Sequence, residues 1–252
     1  MCGIWYKGGD MDGASQRRAD GVVVVLVDID GTLLHVHGAG RASFVRALKA
    51  VFGWDDDIGY INFSGATDLA VLDRVLRRHD HVAGTGQIDL FFDRLAVELR
   101  ASIRDAEIAV YPGVRTLLER LSADLQAVVG LVTGNTGRCA RIKLEAAGLH
   151  GHFVLGAYGH EHADRNAIAR LALERARRHA NGAQVREVWM VGDTPADVAA
   201  ARAIGAGSLA VGTGAHTLSD LLRAGADHAL ADLSDVEAVV RILKSDRTRM
   251  ES

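Results

Sequence analysis

Three short segments hold side chains whose types and spacing suit chemistry: Asp28-Ile29-Asp30-Gly31-Thr32, Val132-Thr133-Gly134-Asn135 and Val191-Gly192-Asp193-Thr194-Pro195-Ala196-Asp197. Carboxylates two residues apart suit a hard cation with oxygen ligands, and equally a nucleophile with a general acid/base. A hydroxyl, a glycine and a helix start make an anion site out of backbone N–H groups. Each segment alone also reads as an ordinary turn or helix cap. The weight lies in where they occur, because each directly follows an apolar run.

Those runs are the elements that must position them. Val22–Val27 is a continuous aliphatic stretch with no polar alternation, the pattern of a strand buried on both faces of a parallel sheet. Similar short runs recur at 127–132, 153–155, 188–191 and 209–211, with Ala/Leu/Arg-rich helical patterns at 114–124, 136–147, 165–180 and 196–205 between them. This alternation predicts an α/β fold with a doubly wound, Rossmann-like parallel sheet, whose ligands bind beyond the carboxyl ends of the strands. Residues 36–108 break the rhythm. They carry helical periodicity at 41–52, 67–79 and 88–104 and no convincing buried strand, so an α-helical cap is expected there, inserted into a core of 21–35 and 109–245. Residues 1–20 are polar and aperiodic and are expected to be loosely ordered.

Composition narrows the function classes. With 48% apolar residues, 24% charged residues and mean hydropathy +0.08, the 252-residue chain has a core to bury and is not a disordered or disulfide-stapled protein. The formal charge of −3 gives no basic face for nucleic acid, and no apolar run approaches a membrane span. Cys2 and Cys139 lie far apart, in no metal-binding pattern, and read as free thiols of a cytoplasmic protein. The basic residues are 25 Arg and 4 Lys, so a site that needs a cation can be expected to use arginine.

In order and spacing the three segments resemble the haloacid dehalogenase superfamily. The chain is most similar to its phosphoglycolate-phosphatase-like branch, with a helical cap after the first motif. The likeness extends from about residue 22 to about 235 and takes in Tyr111-Pro112-Gly113-Val114 and Gly212-Thr213-Gly214. The resemblance implies that Asp28 is a nucleophile forming an aspartyl-phosphate and also a Mg2+ ligand. Asp30 would protonate the leaving alkoxide, activate water and ligate the metal through its backbone carbonyl. Thr133, Gly134 and Asn135 would hold phosphoryl oxygens, Asp193 would complete the metal's protein ligands, and Asp197 would orient them. The acid at Asp30 points to a phosphatase, since family dehalogenases lack it.

The family usually supplies a lysine to the transferring phosphoryl. Arg165, opening a helix after the 153–155 run, stands where that cation falls and is the favoured group; Lys143, in a helix resembling a family segment outside the active site, is the alternative. Phe63-Ser64-Gly65-Ala66-Thr67-Asp68 resembles the G-x-T-D element of family caps, which makes Thr67 a substrate-contact candidate as well as a helix cap. Arg41 and His37 are candidates for a second anionic group on the substrate, and His160 and His162 for the cleft wall. The expectation is a Mg2+-dependent phosphatase of small phosphorylated metabolites, monomeric or homodimeric, with no nucleic-acid or membrane partner. Its rivals are a phosphomutase of the same fold and a catalytically silent binding protein. A dinucleotide enzyme is disfavoured because no G-x-G-x-x-G follows the first strand.

Overall fold

The computed structural model describes residues 21–105 and 108–245; the expectations for residues 1–20, Cys2 included, lie outside them. The sheet is built from β1 (Val22–Val27), β4 (Val128–Thr133), β5 (Leu155–Tyr158), β6 (Val185–Gly192), β7 (Gly207–Val211) and β8 (His228–Leu230). Its order is β5-β4-β1-β6-β7-β8 and every pairing is parallel. The doubly wound α/β fold is therefore observed. β1 lies at the point where the winding reverses, the usual position of a ligand crevice.

Side-chain alternation along β1 gives the sheet two buried faces. Val23, Val25 and Val27 join one apolar cluster, and Val24 and Leu26 join the other. The first cluster is closed by α4 (Val114–Ala123), α5 (Gly137–Ala146) and α9 (Val236–Lys244); the second by α6 (Arg165–His179) and α7 (Pro195–Ala203). Each fully buried Val or Leu contributes roughly 1.5–3 kcal/mol, so a polar replacement within β1 would break the platform for both layers. α8 (Leu218–Arg223) packs beside β7 and β8.

After β1, a two-residue strand β2 (Leu34–His35) pairs antiparallel with β3 (Ala109–Val110). Between them run α1 (Ala39–Phe52), α2 (Asp68–Arg78) and α3 (Thr85–Asp105). This pairing ties the outgoing and returning chains together at the base of the three helices, and the Tyr111 N–H adds a bond to the Leu33 carbonyl at 3.0 Å. Phe44 on α1 and Phe91, Leu95 and Leu99 on α3 are buried in the same apolar cluster as one face of the sheet.

Some boundaries differ from the expectation. The strand expected at 153–155 forms at Leu155–Tyr158, because a short 3-10 turn occupies His150–His152 and the apolar signal peaks before the strand begins. β6 begins three residues before the expected run, with Glu187 paired to Val23 and Arg186 at a register shift in the ladder. The edge strand β8 and the short helix α8 carry weak patterns; α9 is amphipathic, with Val239, Val240 and Leu243 buried, and lies beyond the runs singled out in the sequence.

Candidate active site

Register alone brings the three motifs together. Val27 pairs with Leu131 of β4 and with Val191 of β6, so Asp28, one step on, is level with the ends of both neighbours. Thr133 and Asp193 therefore flank it. Local chemistry holds each one. The Asp28 N–H donates to the Val191 carbonyl at 3.0 Å, continuing the ladder past the strand. Gly31 turns the chain with φ +82°, and a Cβ there would lie 2.3 Å from Asp193 Oδ2, so the close approach itself demands glycine. On the other side of the same carboxylate, a Cβ at Gly214 would lie 1.7 Å from that oxygen.

Asp28, Asp193 and Asp197 are buried, and one carboxylate oxygen of each lies within 4.8 Å of the others. Burial, and then repulsion from neighbouring carboxylates, pushes Asp28 up to about 6 and Asp193 up to about 8, although Arg165 opposes the rise at both. Concentrated negative charge that protons partly neutralise suits a divalent cation. The residues fit Mg2+: hard oxygen donors gathered at one point, with glycine on two sides of Asp193. Asp197 is committed elsewhere. Its Oδ2 accepts from the Thr194 N–H at 3.0 Å and the Thr194 hydroxyl at 2.7 Å, closing the capping box of α7. Its Oδ1 accepts from Arg165 Nε at 2.9 Å and Nη2 at 2.5 Å. Asp28 and Asp193 are each engaged through Oδ1, by Arg165 Nη2 at 3.0 Å and by the Thr32 hydroxyl at 3.0 Å, which leaves an oxygen of each to face a metal, with Asp197 holding the arginine.

Arg165 is buried at the start of α6, whose N-cap is Asp164. Its Nη2 lies 3.0 Å from Asp28 Oδ1, and the two surrounding carboxylates raise its pKa despite burial. Lys143, expected outside the site, is inside it. Its position on α5 turns the side chain inward, where the buried Nζ donates to both Asp30 oxygens at 2.7 Å and to Asn135 Oδ1 at 2.7 Å. The sequence offered Arg165 or Lys143 as the cation; the site has both, one on each member of the Asp28/Asp30 pair. Periodicity along α5 was the available signal, since Lys143 shares a face with the buried Cys139 and Ala140.

Thr133 and Asn135 are buried beside them. Asn135 Nδ2 donates to Asp30 Oδ2 at 2.6 Å and to the Thr133 hydroxyl at 2.8 Å, so Asn135 joins Thr133, Asp30 and Lys143 into one network. Gly134 meets the helical insertion: its carbonyl accepts from the Asp68 N–H at 2.7 Å, and a Cβ on it would lie 2.1 Å from the Ala66 carbonyl oxygen. Thr67 is not brought into the cavity. Its buried hydroxyl donates to the Ala163 carbonyl and accepts from the Ala70 N–H, the N-cap of α2. Asp68, its neighbour, lines the cavity instead and accepts from the Thr136 N–H at 2.7 Å. Arg41 also lines it, but its Nη1 and Nη2 donate to the carbonyls of Ile58 and Ile61 at 2.7 and 2.8 Å. His37 is exposed away from the cavity, whereas His35 lines it. His160 and His162 do not line it; each accepts from a backbone N–H, of Gly137 and of Asp164.

These groups surround a cavity of about 580 Å3 between the strand ends and helices α1 and α3. A family model for haloacid dehalogenase-like hydrolases matches residues 22–205, the span that holds the three strand-end motifs. The chain belongs to the haloacid dehalogenase-like hydrolases. A phosphoglycolate phosphatase of Chromobacterium violaceum is 38% identical over 130 residues, covering 50% of this chain and 56% of the relative, so the match spans little more than half of that protein. Among solved structures, a hydrolase from Pseudomonas syringae superposes with TM-score 0.66 at 22% identity, over 88% of this chain and 99% of its own. CbbY from Rhodobacter sphaeroides, in complex with phosphate, superposes with TM-score 0.65 at 21% identity, over 84% and 95%. At such identities the structures speak for the fold, and this haloacid dehalogenase-like hydrolase shares theirs. Among its described residues, no helix is long and apolar enough to cross a membrane.

Proposed function

We propose that this hydrolase is a Mg2+-dependent phosphatase of small phosphorylated metabolites, related to the phosphoglycolate phosphatases and working through an aspartyl-phosphate on Asp28. The observation that carries the reading is the pairing of each carboxylate of Asp28-x-Asp30 with its own cation, beside a second buried acid, Asp193. In this reading residues 36–108 form a cap over a core of 21–35 and 109–245 and close the cavity against water. Mg2+, held by the carboxylates of Asp28 and Asp193 with the Asp30 carbonyl, would screen the repulsion between a carboxylate nucleophile and a phosphoryl dianion.

The protein's own groups then divide the work. An Asp28 oxygen attacks phosphorus while Arg165, hydrogen-bonded alongside it, meets charge growing on the phosphoryl oxygens. Thr133 and the Gly134 backbone face the same oxygens. Asp30 gives its proton to the departing alkoxide, then takes one from the water that cleaves the aspartyl-phosphate, which releases inorganic phosphate and restores Asp28. Lys143 and Asn135 fix the direction of the Asp30 carboxyl between these two steps. The test is release of phosphate from a chromogenic aryl phosphate with Mg2+, with excess chelator, and with Asp28→Asn. Activity lost in both controls is expected; activity indifferent to either would overturn the reading.

A further inference from the structure

Resting on that phosphatase reading, we infer that the substrate carries its charge on the phosphoryl group alone and that its leaving group is an uncharged, largely apolar alcohol. The cavity has two unlike ends. At the strand ends it is lined by the carboxylates and cations described above. At the helical end it is lined by Val36, Phe44, Phe63, Leu95 and Leu99, with Tyr111 at the side. Phe44 and Phe63 meet edge to face with centroids 5.6 Å apart, a rigid apolar wall.

A second anionic group would enter this end and need a cation. Among the described residues lining the cavity, the permanent cations are Arg41, Lys143 and Arg165. Arg165 is held by Asp28 and Asp197, and Lys143 by Asp30 and Asn135. Arg41 gives one bond from each terminal nitrogen to the carbonyls of Ile58 and Ile61 and lies over the Phe63 ring at 4.5 Å, which fixes its plane as an anchor for that turn while leaving its charge in place. His35 is solvent-exposed at the rim. On the acidic side, Asp68 reaches into the cavity from the start of α2 and repels a second carboxylate or phosphate. Apolar walls add binding for each buried methylene, whereas a second anion loses water there and must compete with the Ile58 and Ile61 carbonyls for Arg41.

The experiment compares phosphoglycolate with butyl phosphate and benzyl phosphate as substrates of the Mg2+-loaded wild-type protein, reading kcat/KM from released phosphate. In parallel, calorimetry measures binding of the non-hydrolysable phosphonoacetate and benzylphosphonate. We expect benzyl or butyl phosphate to exceed phosphoglycolate by at least roughly tenfold in kcat/KM, and benzylphosphonate to bind correspondingly tighter. Hydrolysis in the opposite order, or tighter binding of phosphonoacetate, overturns the inference and leaves the phosphatase reading intact. No hydrolysis of any ester overturns the phosphatase reading, and the order of binding still decides the inference.

Discussion

Replacing Arg165 with methionine removes the one positive charge that, among the described residues, touches both Asp28 and Asp197, at 3.0 and 2.5 Å, while preserving most of the side-chain volume. All three groups are buried, so solvent cannot take over the pairing. Removing one partner of a buried ion pair costs about 3–5 kcal/mol. Proton uptake limits the loss: Asp28 stands at about 6, and protonating such a group at neutral pH costs only about 1.4 kcal/mol. The expectation for metal-free Arg165→Met is therefore about 3 kcal/mol, a fall in Tm of roughly 6–12 °C for a chain of this size. Saturating Mg2+ supplies counter-charge to the same carboxylates and is expected to cut the loss by about half or more. Arg165→Lys, which keeps the charge but not the forked donor, falls between. The assay is thermal unfolding of all three proteins, metal-free and with Mg2+. A fall below about 2 °C without metal, or one of equal size with it, would refute the placement of Arg165 as the charge partner of the site.

Other consequences are open to direct measurement. Asp28 and Asp193 hold protons in the folded state up to about 6 and about 8, against the ordinary 3.8, so the folded protein binds more protons than the unfolded one between these limits. The stability they add is complete below the ordinary value and is lost as pH rises through both; metal-free Tm should fall from about pH 4 to about pH 8, and Mg2+ should flatten the slope. A flat metal-free profile would contradict the crowding of these carboxylates. Lys143→Met leaves the Asp30 carboxyl without its anchor and should lower kcat by roughly a hundredfold with a much smaller change in KM; an unchanged kcat would remove Lys143 from the mechanism. Thr67→Ala should cost about 1 kcal/mol in denaturant unfolding through loss of the α2 cap, with kcat/KM within a few-fold of wild type. A hundredfold loss of kcat/KM there would return Thr67 to the site.

The sheet and the strand-end motifs were legible because buried parallel strands demand continuous apolar runs, and Val22–Val27 ending at Asp28 is such a run. Asp28, Asp30, Thr133 and Asp193 could be read from position alone, since a strand end in a doubly wound sheet faces the crevice whatever follows. Lys143 could not. It sits in mid-helix, and only the packing of α5 against the sheet decides that its ammonium turns inward to Asp30. Thr67 and Asp68 differ by one residue, and which of them faces the cavity depends on the rotation of α2, fixed by the Asp68 and Leu69 amides bonding to the carbonyls of Gly134 and Gly159. Arg41 looked free for a substrate anion because its partners, the Ile58 and Ile61 carbonyls, are backbone groups that no side-chain pattern announces. The arginine-rich composition retains its significance: Arg165 occupies the buried, doubly acidic position beside Asp28.

The central claim is that Asp28 carries the phosphoryl group. Rapid acid quench of the Mg2+-loaded protein during turnover of an aryl phosphate, followed by peptide mapping by mass spectrometry, tests it directly. The account predicts a phosphoryl group on the Asp28 peptide that hydroxylamine removes and that is absent from Asp28→Asn. Full phosphate release with no phosphorylated Asp28 peptide at any quench time, or turnover undiminished in Asp28→Asn, would contradict it.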